Sequence, residues 1–335
     1  MKVALFSTKP YDRESFEAID HSHEIDFFPQ RLTEDSVHLA RGYSAVCAFA
    51  NDVLGAPVIH ALGQGGTEVL ALRCAGCNHV DFDAVAETGM RVVHVPAYSP
   101  NAVAEHAVAL MQAVNRQIPR ATARVRLGNY ALHGLAGFDV VGKTVGVIGT
   151  GKIGAVFARI LKQGFGARVI AHDPFPNPTC EAMGVEYVSR QALFEQADVI
   201  SLHCPLTEDS HHLIDAPSIA RMKRGVVIVN TARGAVIDTP AVIEGLKAGQ
   251  IGGLGMDVYE HEGALYFEDR SDEVLTDDLF ARLLGFHNVV ITGHQAFLTH
   301  EALDQIASQT LQNLTCIETG TACEREITPA DEEAD

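Results

Sequence analysis

The chain has 335 residues and a formal net charge of −18 at pH 7, with 47% hydrophobic and 20% charged residues. Its length exceeds the size at which one hydrophobic core keeps growing, so two domains are expected, and its composition is that of an ordinary globular protein. The negative charge argues against nucleic acid and anionic membranes as partners.

Short β-branched runs alternate along the chain with stretches that have the apolar spacing of amphipathic helices. The runs predict strands at residues 3–6, 45–49, 92–95, 144–148, 169–172, 199–203, 226–230 and 289–292. The helical spacing predicts helices at residues 153–161, 193–197 and 241–246. Continuously apolar runs suit strands that are covered on both faces of a parallel sheet. The alternation therefore predicts an α/β, doubly wound architecture.

Two longer helical segments are candidate crossings between domains. The first begins at Ser99 and Pro100, a Ser N-cap followed by Pro at the first helical position, and runs to about residue 115. The second spans about residues 299–318. If both are crossings, one domain is inserted into the other. The predicted domains are residues 1–99 with 298–335, and residues 100–297.

The chain start and the cysteines favour a soluble, cytoplasmic protein. No apolar run approaches the roughly 18 residues of a membrane span, and the apolar stretch near the start is too short for a signal peptide. Only Cys74 and Cys77 form a Cys-x-x-Cys pair, and the second pair that a structural zinc site usually needs is missing. No metal is therefore expected, and reduced thiols are favoured over a redox dithiol.

The strongest motif is a glycine-rich turn, Gly149-x-Gly151-x-x-Gly154, between a predicted strand and a predicted helix. Gly149 would allow a tight turn, Gly151 the close approach of a pyrophosphate, and Gly154 the packing of helix on strand. Asp173 follows the next predicted strand, at the spacing of an acidic residue that binds ribose hydroxyls. Because its charge would repel a 2′-phosphate, the motif predicts NAD in preference to NADP.

Three further residues follow strand-like runs, at the sheet edge where α/β proteins bind ligands. Arg233 could hold a carboxylate and polarise a carbonyl, although a surface arginine is the alternative. His294 could act as a general acid or base, although a histidine chosen blindly from the sixteen present is more often structural. Glu262, one of many acidic residues, could stabilise a protonated imidazole.

Together these motifs resemble the D-2-hydroxyacid dehydrogenase family over essentially the whole chain. They are the glycine-rich turn, Asn230-Thr231-Ala232-Arg233-Gly234, Asp257 with Glu262, and Gly293-His294-Gln295-Ala296-Phe297. Within that family the chain is most similar to the bacterial fermentative D-lactate dehydrogenases. The narrower resemblance is carried by Arg73-Cys74-Ala75-Gly76, Val95-Pro96-Ala97-Tyr98-Ser99-Pro100 and the long insert that starts at Leu265.

The resemblance implies a Rossmann-type NAD domain inserted into a flavodoxin-like substrate domain. It also implies that NADH reduces a 2-keto acid while His294, paired with Glu262, donates a proton and Arg233 binds the substrate. The implied dinucleotide contacts, besides the glycine-rich turn and Asp173, are Lys152, Ile153, Cys204, Pro205, Thr231, Arg233 and Asp257. The implied substrate contacts are Ala75, Gly76, Tyr98, Arg233 and His294.

Substrate and assembly stay open at this point. Pyruvate is expected, but Cys77 stands where close relatives often carry an aromatic residue, so a larger keto acid such as phenylpyruvate is the alternative. Ser210 replaces a common Asn, which puts one cofactor contact in doubt. An NAD-sensing, corepressor-like protein is a hypothesis of another class, against which the complete catalytic set argues. A homo-oligomer, dimer or tetramer, is implied, and the apolar face of the first crossing helix could be its contact or could pack inside its own domain.

Overall fold

The computed structural model describes residues 1–327. Residues 328–335, the end of one predicted domain, lie outside the described residues. The chain divides into two compact units, one formed by Met1–Ser99 with the chain from Leu298 onward, and the other by Pro100–Phe297. In the described part of the chain no helix is long and apolar enough to cross a membrane.

The first unit contains a six-stranded sheet. Its strands are β1 (Lys2–Leu5), β2 (Glu24–Phe27), β3 (Ala45–Ala48), β4 (Val69–Leu72), β5 (Arg91–Val93) and β13 (Glu326–Ile327). The order is β13-β5-β4-β3-β1-β2, with β1 to β5 parallel and β13 antiparallel to β5. The sequence β2-β1-β3-β4-β5 is the flavodoxin-like order, as the resemblance implies.

Helices cover this sheet because the apolar faces of the strands and of the helices pack against each other. The helices are α1 (Pro10–Glu17), α2 (Ala56–Gln64), α3 (Phe82–Thr88) and α12 (His300–Thr319), with a 3-10 turn at Val37–Ala40. Alternate strand residues such as Val3 and Leu5 point to one face, where they pack with Leu311 and Leu314 from the apolar stripe of α12. This packing buries the centre of the sheet.

The second unit contains a seven-stranded, wholly parallel sheet. Its strands are β6 (Thr144–Ile148), β7 (Arg168–His172), β8 (Glu186–Tyr187), β9 (Val199–Leu202), β10 (Val226–Asn230), β11 (Ile251–Met256) and β12 (Val289–Ile291). The strand order is β12-β11-β10-β9-β6-β7-β8. The chain adds β7 and β8 on one side of β6 and then adds β9 to β12 on the other side, so its winding reverses between β6 and β9. Open α/β sheets bind ligands outside the carboxyl ends of strands at such a reversal, and this order is that of a Rossmann fold.

Helices lie on both faces of the second sheet. They are α4 (Pro100–Asn115), α5 (Ile118–Arg126), α6 (Lys152–Arg159), α7 (Pro178–Ala182), α8 (Arg190–Gln196), α9 (Ala216–Arg221), α10 (Thr239–Lys247) and α11 (Asp278–Leu284). Within β10, Val227 and Val229 join the core under α4 and α6, whereas Val226 and Ile228 join the core under α8, α9 and α10. The predicted α/β, doubly wound fold is confirmed.

The apolar face of α4 belongs to the core of its own unit. Ala107 and Met111 are 0% exposed and Leu110 is 3% exposed, because they pack on β10 and β11. Of the two roles expected for this face, packing inside its own domain is the one that the structure shows.

Candidate active site

A buried carboxylate connects the loops that follow neighbouring strands β11 and β12. Asp257, the first residue after β11, is 0% exposed. Its carboxylate accepts hydrogen bonds from Thr292 Oγ1 at 2.5 Å and from the backbone N–H groups of Gln295 and Ala296 at 2.9 and 2.8 Å. All three donors lie after β12, so one side chain fixes the course of that loop.

Backbone hydrogen bonds complete the connection. The N–H of His294 donates to the carbonyl of Asp257 at 2.7 Å, and the N–H of Asp257 donates to the carbonyl of Asn230, at the end of β10, at 2.9 Å. His294 has φ +54°, in the left-handed region that side chains other than glycine rarely adopt. A strained conformation persists where its surroundings over-determine it, as the Asp257 contacts do here.

Hydrogen bonds keep Asp257 ionised in spite of its burial. Burial alone would raise the pKa of this carboxyl group, but the side chains of His106 and Thr292 and the backbone N–H groups of Ala296 and Gln295 lower it. The Nε2 atom of His106 lies 3.5 Å from Asp257 Oδ1 and 3.0 Å from Thr292 Oγ1. His106 was not predicted from the sequence, where its signal was its position among buried residues of α4.

The structure brings His294 and Glu262 together. The Nδ1 atom of His294 lies 2.7 Å from Glu262 Oε1, and Glu262 Oε2 accepts a hydrogen bond from the N–H of Tyr259 at 2.8 Å. Both side chains are 25% exposed, so a small ligand can reach the pair. Because the carboxylate holds Nδ1, Nε2 is the nitrogen left to exchange a proton with a ligand.

The long insert supplies an aromatic neighbour to this histidine. The ring centroid of Phe267 lies 5.5 Å from that of His294, at an interplanar angle of 41°. The adjacent Tyr266 is 9% exposed, and its hydroxyl has no hydrogen-bond partner among the described residues. The sequence singled out the insert, but nothing in its composition indicated that Phe267 would pack on His294.

Arg233 lies in a turn that Asn230 shapes at the end of β10. The Asn230 side chain accepts from the N–H of Ala232 at 3.0 Å and donates to the carbonyl of Arg233 at 2.9 Å. A Cβ atom on Gly234 would lie 2.1 Å from the backbone of Tyr259, so only glycine permits this approach of the two loops. The half-buried guanidinium donates to the Ala232 carbonyl, and within the described chain no carboxylate forms an ion pair with it. It can therefore bind an external anion.

The glycine-rich turn after β6 has the close approaches that the motif predicts. Gly149 has φ +87°, and a Cβ atom there would lie 2.7 Å from the backbone of Cys204. A Cβ atom on Gly154 would lie 1.9 Å from the Gly149 carbonyl oxygen. By contrast, a Cβ atom on Gly151 would meet nothing within 4 Å, which leaves open space beside the turn.

Polar groups around this space fit a dinucleotide. Helix α6 starts at Lys152 without a side-chain cap, so backbone N–H groups of Lys152 and Ile153 can bind phosphate. The Asp173 carboxylate accepts from Thr150 N and Oγ1 at 2.6 and 3.0 Å, which fixes it beside the turn. The Thr231 hydroxyl is buried and has no hydrogen-bond partner among the described residues. Such a group is satisfied when a ligand supplies a partner.

The loop after β9 borders the same turn. Ser210 donates to the carbonyl of Pro205 at 2.6 Å and accepts from the N–H of Thr207 at 2.7 Å, so its hydroxyl stabilises the loop itself. Burial raises the pKa of the Cys204 thiol to about 11 and lowers the pKa of His203 to about 3. Both side chains are therefore neutral at pH 7, and they add no charge beside the turn.

The first unit holds the other predicted substrate residues. Ala75 and Gly76 follow β4 and are half-buried, as is Tyr98 after β5. Arg73, which is 1% exposed, lies at the base of the Ala75 loop with its Nε 3.3 Å from Asp12 Oδ1. A buried guanidinium needs such a partner, and this pair holds the Arg73 side chain in place at the start of the loop.

Comparison with known proteins gives consistent matches. The family model described as "D-isomer specific 2-hydroxyacid dehydrogenase, NAD binding domain" matches residues 108–296. The D-lactate dehydrogenase of Escherichia coli (strain K12) is 53% identical over 329 residues, which cover 98% of this chain and 100% of that protein. The apo-structure of the Escherichia coli D-lactate dehydrogenase has a TM-score of 0.90 at 50% identity and covers 98% of this chain and 100% of that one. The structure of the pyruvate reductase of Chlamydomonas reinhardtii has a TM-score of 0.91 at 43% identity and covers 97% of this chain and 98% of that one.

Two glycine substitutions test whether the glycine-rich turn binds a dinucleotide. In Gly151→Ala the added methyl group meets no atom within 4 Å, so Tm should be unchanged. It would obstruct a pyrophosphate, so the Kd for NADH should rise about tenfold, which equals about 1.4 kcal/mol. Gly154→Ala, with a contact of 1.9 Å to Gly149, should lower both Tm and affinity. Thermal unfolding and fluorescence titration measure both effects, and unchanged NADH affinity in Gly151→Ala would contradict the phosphate position.

The lowered pKa of Asp257 predicts a pH-dependent contribution to stability. A carboxyl group whose pKa is lower in the folded chain stabilises the fold above its unfolded pKa, about 3.9, and loses that effect as pH falls through the folded pKa. Asp257→Asn should therefore lower the free energy of unfolding by about 1–3 kcal/mol at pH 7, and the difference should shrink below about pH 4. Urea denaturation over a pH series measures it; a pH-independent difference would refute the account.

Proposed function

The chain belongs to the D-isomer specific 2-hydroxyacid dehydrogenase family, and we propose that its reaction is the reversible, NADH-dependent reduction of pyruvate to D-lactate. The family assignment confirms the enzyme class and the NAD cofactor that the motifs predicted. The observation that carries the proposal is the hydrogen bond of 2.7 Å between His294 and Glu262, at the same sheet edge as Arg233. The identity of 53% to a D-lactate dehydrogenase supports pyruvate as the substrate.

In the proposed reaction Arg233, His294 and Glu262 have distinct roles. Arg233 binds the substrate carboxylate and polarises the neighbouring C2 carbonyl. A dinucleotide held at the turn around Gly151 would supply, as NADH, the hydride for C2 of the substrate. His294 donates the proton on Nε2 to the carbonyl oxygen, which becomes the hydroxyl group, and it accepts that proton in the reverse direction. Glu262 orients the imidazole and stabilises its protonated form.

The remaining predicted contacts are part of the same proposal. The turn around Gly151 and the start of α6 hold the pyrophosphate, and Asp173 accepts the ribose hydroxyls. Further dinucleotide contacts are Lys152, Ile153, Cys204, Pro205, Thr231 and Asp257. We assign the substrate carboxylate to backbone groups of Ala75 and Gly76, and the rest of the substrate to Tyr98.

A dehydrogenase of a larger keto acid is the second candidate. The small Cys77 favours it, whereas the packing of Phe267 on His294 favours a small substrate because it fills space beside the reacting group. A pocket distinguishes substrates that differ by a few methylene groups by about 1–3 kcal/mol. The ratio of kcat/KM values for pyruvate and phenylpyruvate therefore decides between the two.

We expect kcat/KM with NADH to be at least about tenfold higher for pyruvate than for phenylpyruvate. Phe267→Ala should reduce this preference, because it opens space next to His294. Val274→Ala, at a position 87% exposed in the same insert, is the matched control and should leave the ratio unchanged. A preference of the unaltered enzyme for phenylpyruvate would exclude the pyruvate assignment and support the second candidate.

Substitution of the proton donor separates catalysis from dinucleotide binding. His294→Gln should reduce kcat by about 100-fold or more, since general acid catalysis contributes on that order, with little change in NADH affinity. Glu262→Gln should also reduce kcat, because the imidazole loses the carboxylate oxygen that lies 2.7 Å from its Nδ1 atom and orients it. Steady-state kinetics checks both. Normal turnover of His294→Gln would favour a mere NAD-sensing protein or another donor.

We infer that the chain forms homo-oligomers through a surface other than α4. Large exposed apolar side chains cluster from α5 to the start of β6, at Ile118, Val125, Leu127, Tyr130, Leu132 and Val141. Leu127 and Leu132 are 85% and 82% exposed, and Arg124 donates to the carbonyl of His133 at 2.8 Å, which fixes the segment. Exposed apolar patches of this kind are typical of interfaces.

The scattered cysteines support a cytoplasmic location.

Leu132→Asp tests this surface. A charge within a buried apolar interface is costly, so the variant should dissociate to monomers while it stays folded. Light scattering measures the mass of the assembly. Val274→Asp, at a comparably exposed apolar position of 87%, should keep the mass of the unaltered protein. An unchanged mass in Leu132→Asp would remove this segment from the interface.

A further inference from the structure

We propose that His211, His212 and Glu260 form a binding site for a transition-metal ion such as Zn²⁺, separate from the proposed proton relay. Each residue offers one ligand atom, and the three atoms lie within 4.8 Å of one another. His211 and His212 belong to the loop between β9 and α9, and Glu260 to the loop after β11. No sequence pattern indicates this site, because the ligands come from two loops far apart in the chain.

The chemistry of the donors selects the type of metal. Two imidazole nitrogens and one carboxylate oxygen are a ligand set typical of Zn²⁺ and similar first-row ions, whereas Mg²⁺ and Ca²⁺ prefer oxygen alone. Zinc lies about 2.0–2.2 Å from each such ligand, so two ligands of one ion are at most about 4.4 Å apart. The three ligand atoms, which lie within 4.8 Å of one another, are close to that spacing. The ion would replace the present hydrogen bond of 2.6 Å between His212 Nε2 and Glu260 Oε1.

Two of the three ligands are held in place by the fold. The N–H of His212 donates to the carbonyl of Ala235 at 2.8 Å. His212 itself has φ +50°, in the left-handed region, and this bond holds its backbone there. The other carboxylate oxygen of Glu260 accepts from Thr239 Oγ1 at 3.0 Å. The Glu260 side chain is 13% exposed and that of His212 is 35% exposed, so the pair is sheltered on one side.

The third ligand and the access route lie at the surface. His211 is exposed, and its ring stacks on that of His212 with 3.9 Å between centroids. Both histidines line an open cavity of about 370 Å³, from which an ion and a completing water molecule could enter. The net charge of −18 attracts cations to the protein as a whole. The site therefore combines a fixed pair, His212 and Glu260, with an exposed third ligand, His211.

Equilibrium dialysis of the full-length protein, freed of metal with EDTA, against Zn²⁺ alone tests the site without NADH or substrate. We expect one Zn²⁺ per chain, with at least about tenfold weaker binding in His211→Ala, which removes a ligand and leaves the bond between His212 and Glu260 intact. His287→Ala, at another exposed histidine, is the matched control and should bind as the unaltered protein does.

Co²⁺ absorption identifies the ligand atoms directly. A tetrahedral site of nitrogen and oxygen ligands gives visible d–d bands, which should disappear in His211→Ala. Intense near-ultraviolet bands of thiolate ligands would assign the metal to cysteines and overturn the proposal. Equal Zn²⁺ affinity of His211→Ala and the unaltered protein would overturn it as well. Both measurements are independent of turnover, so their outcome does not depend on the proposed reaction.

Discussion

The proposed active site depends on one buried charge. The Asp257 carboxylate is 0% exposed, and an ion in that position is costly unless hydrogen bonds compensate for lost water. Thr292 and the N–H groups of Gln295 and Ala296 provide that compensation only when the loop after β12 follows its observed course. His294 lies within this loop, so the same bonds that stabilise Asp257 hold the imidazole next to Glu262. The scaffold, before any substrate binds, sets the geometry of the proton donor.

Local groups overcome an unfavourable global charge. The protein carries −18 overall, yet its family acts on anionic acids with an anionic dinucleotide. The start of α6 offers backbone N–H groups to phosphate, and Arg233 has no carboxylate partner among the described residues. Cys204 and His203 stay neutral between these positions, as their shifted pKa values require. All these groups lie at the carboxyl ends of strands in one sheet, which explains how separate loops can serve one reaction.

The sequence predicted what local patterns encode. The strand at 226–230 coincides with β10, and the helix from Pro100 to residue 115 coincides with α4. Strand β11 was not among the predicted strands, although a strand-like run was noted before Glu262, because three of its six residues are glycine, a poor strand former. Glycine is required there by tertiary packing, since a Cβ atom on Gly253 would lie 2.3 Å from Val114 of α4. His106 and Phe267 were not predicted as site residues for the same reason, because their contacts with the site arise from packing between distant segments.

A crystal structure with NADH and the pyruvate analogue oxamate tests the central claim most directly. We expect His294 Nε2 to lie within about 2.6–3.2 Å of the oxamate oxygen that corresponds to the C2 carbonyl. We also expect the hydrogen bonds from His294 to Glu262 and from the loop after β12 to Asp257 to persist. A histidine turned away from the ligand, or a loop that leaves Asp257 when the ligand binds, would contradict it.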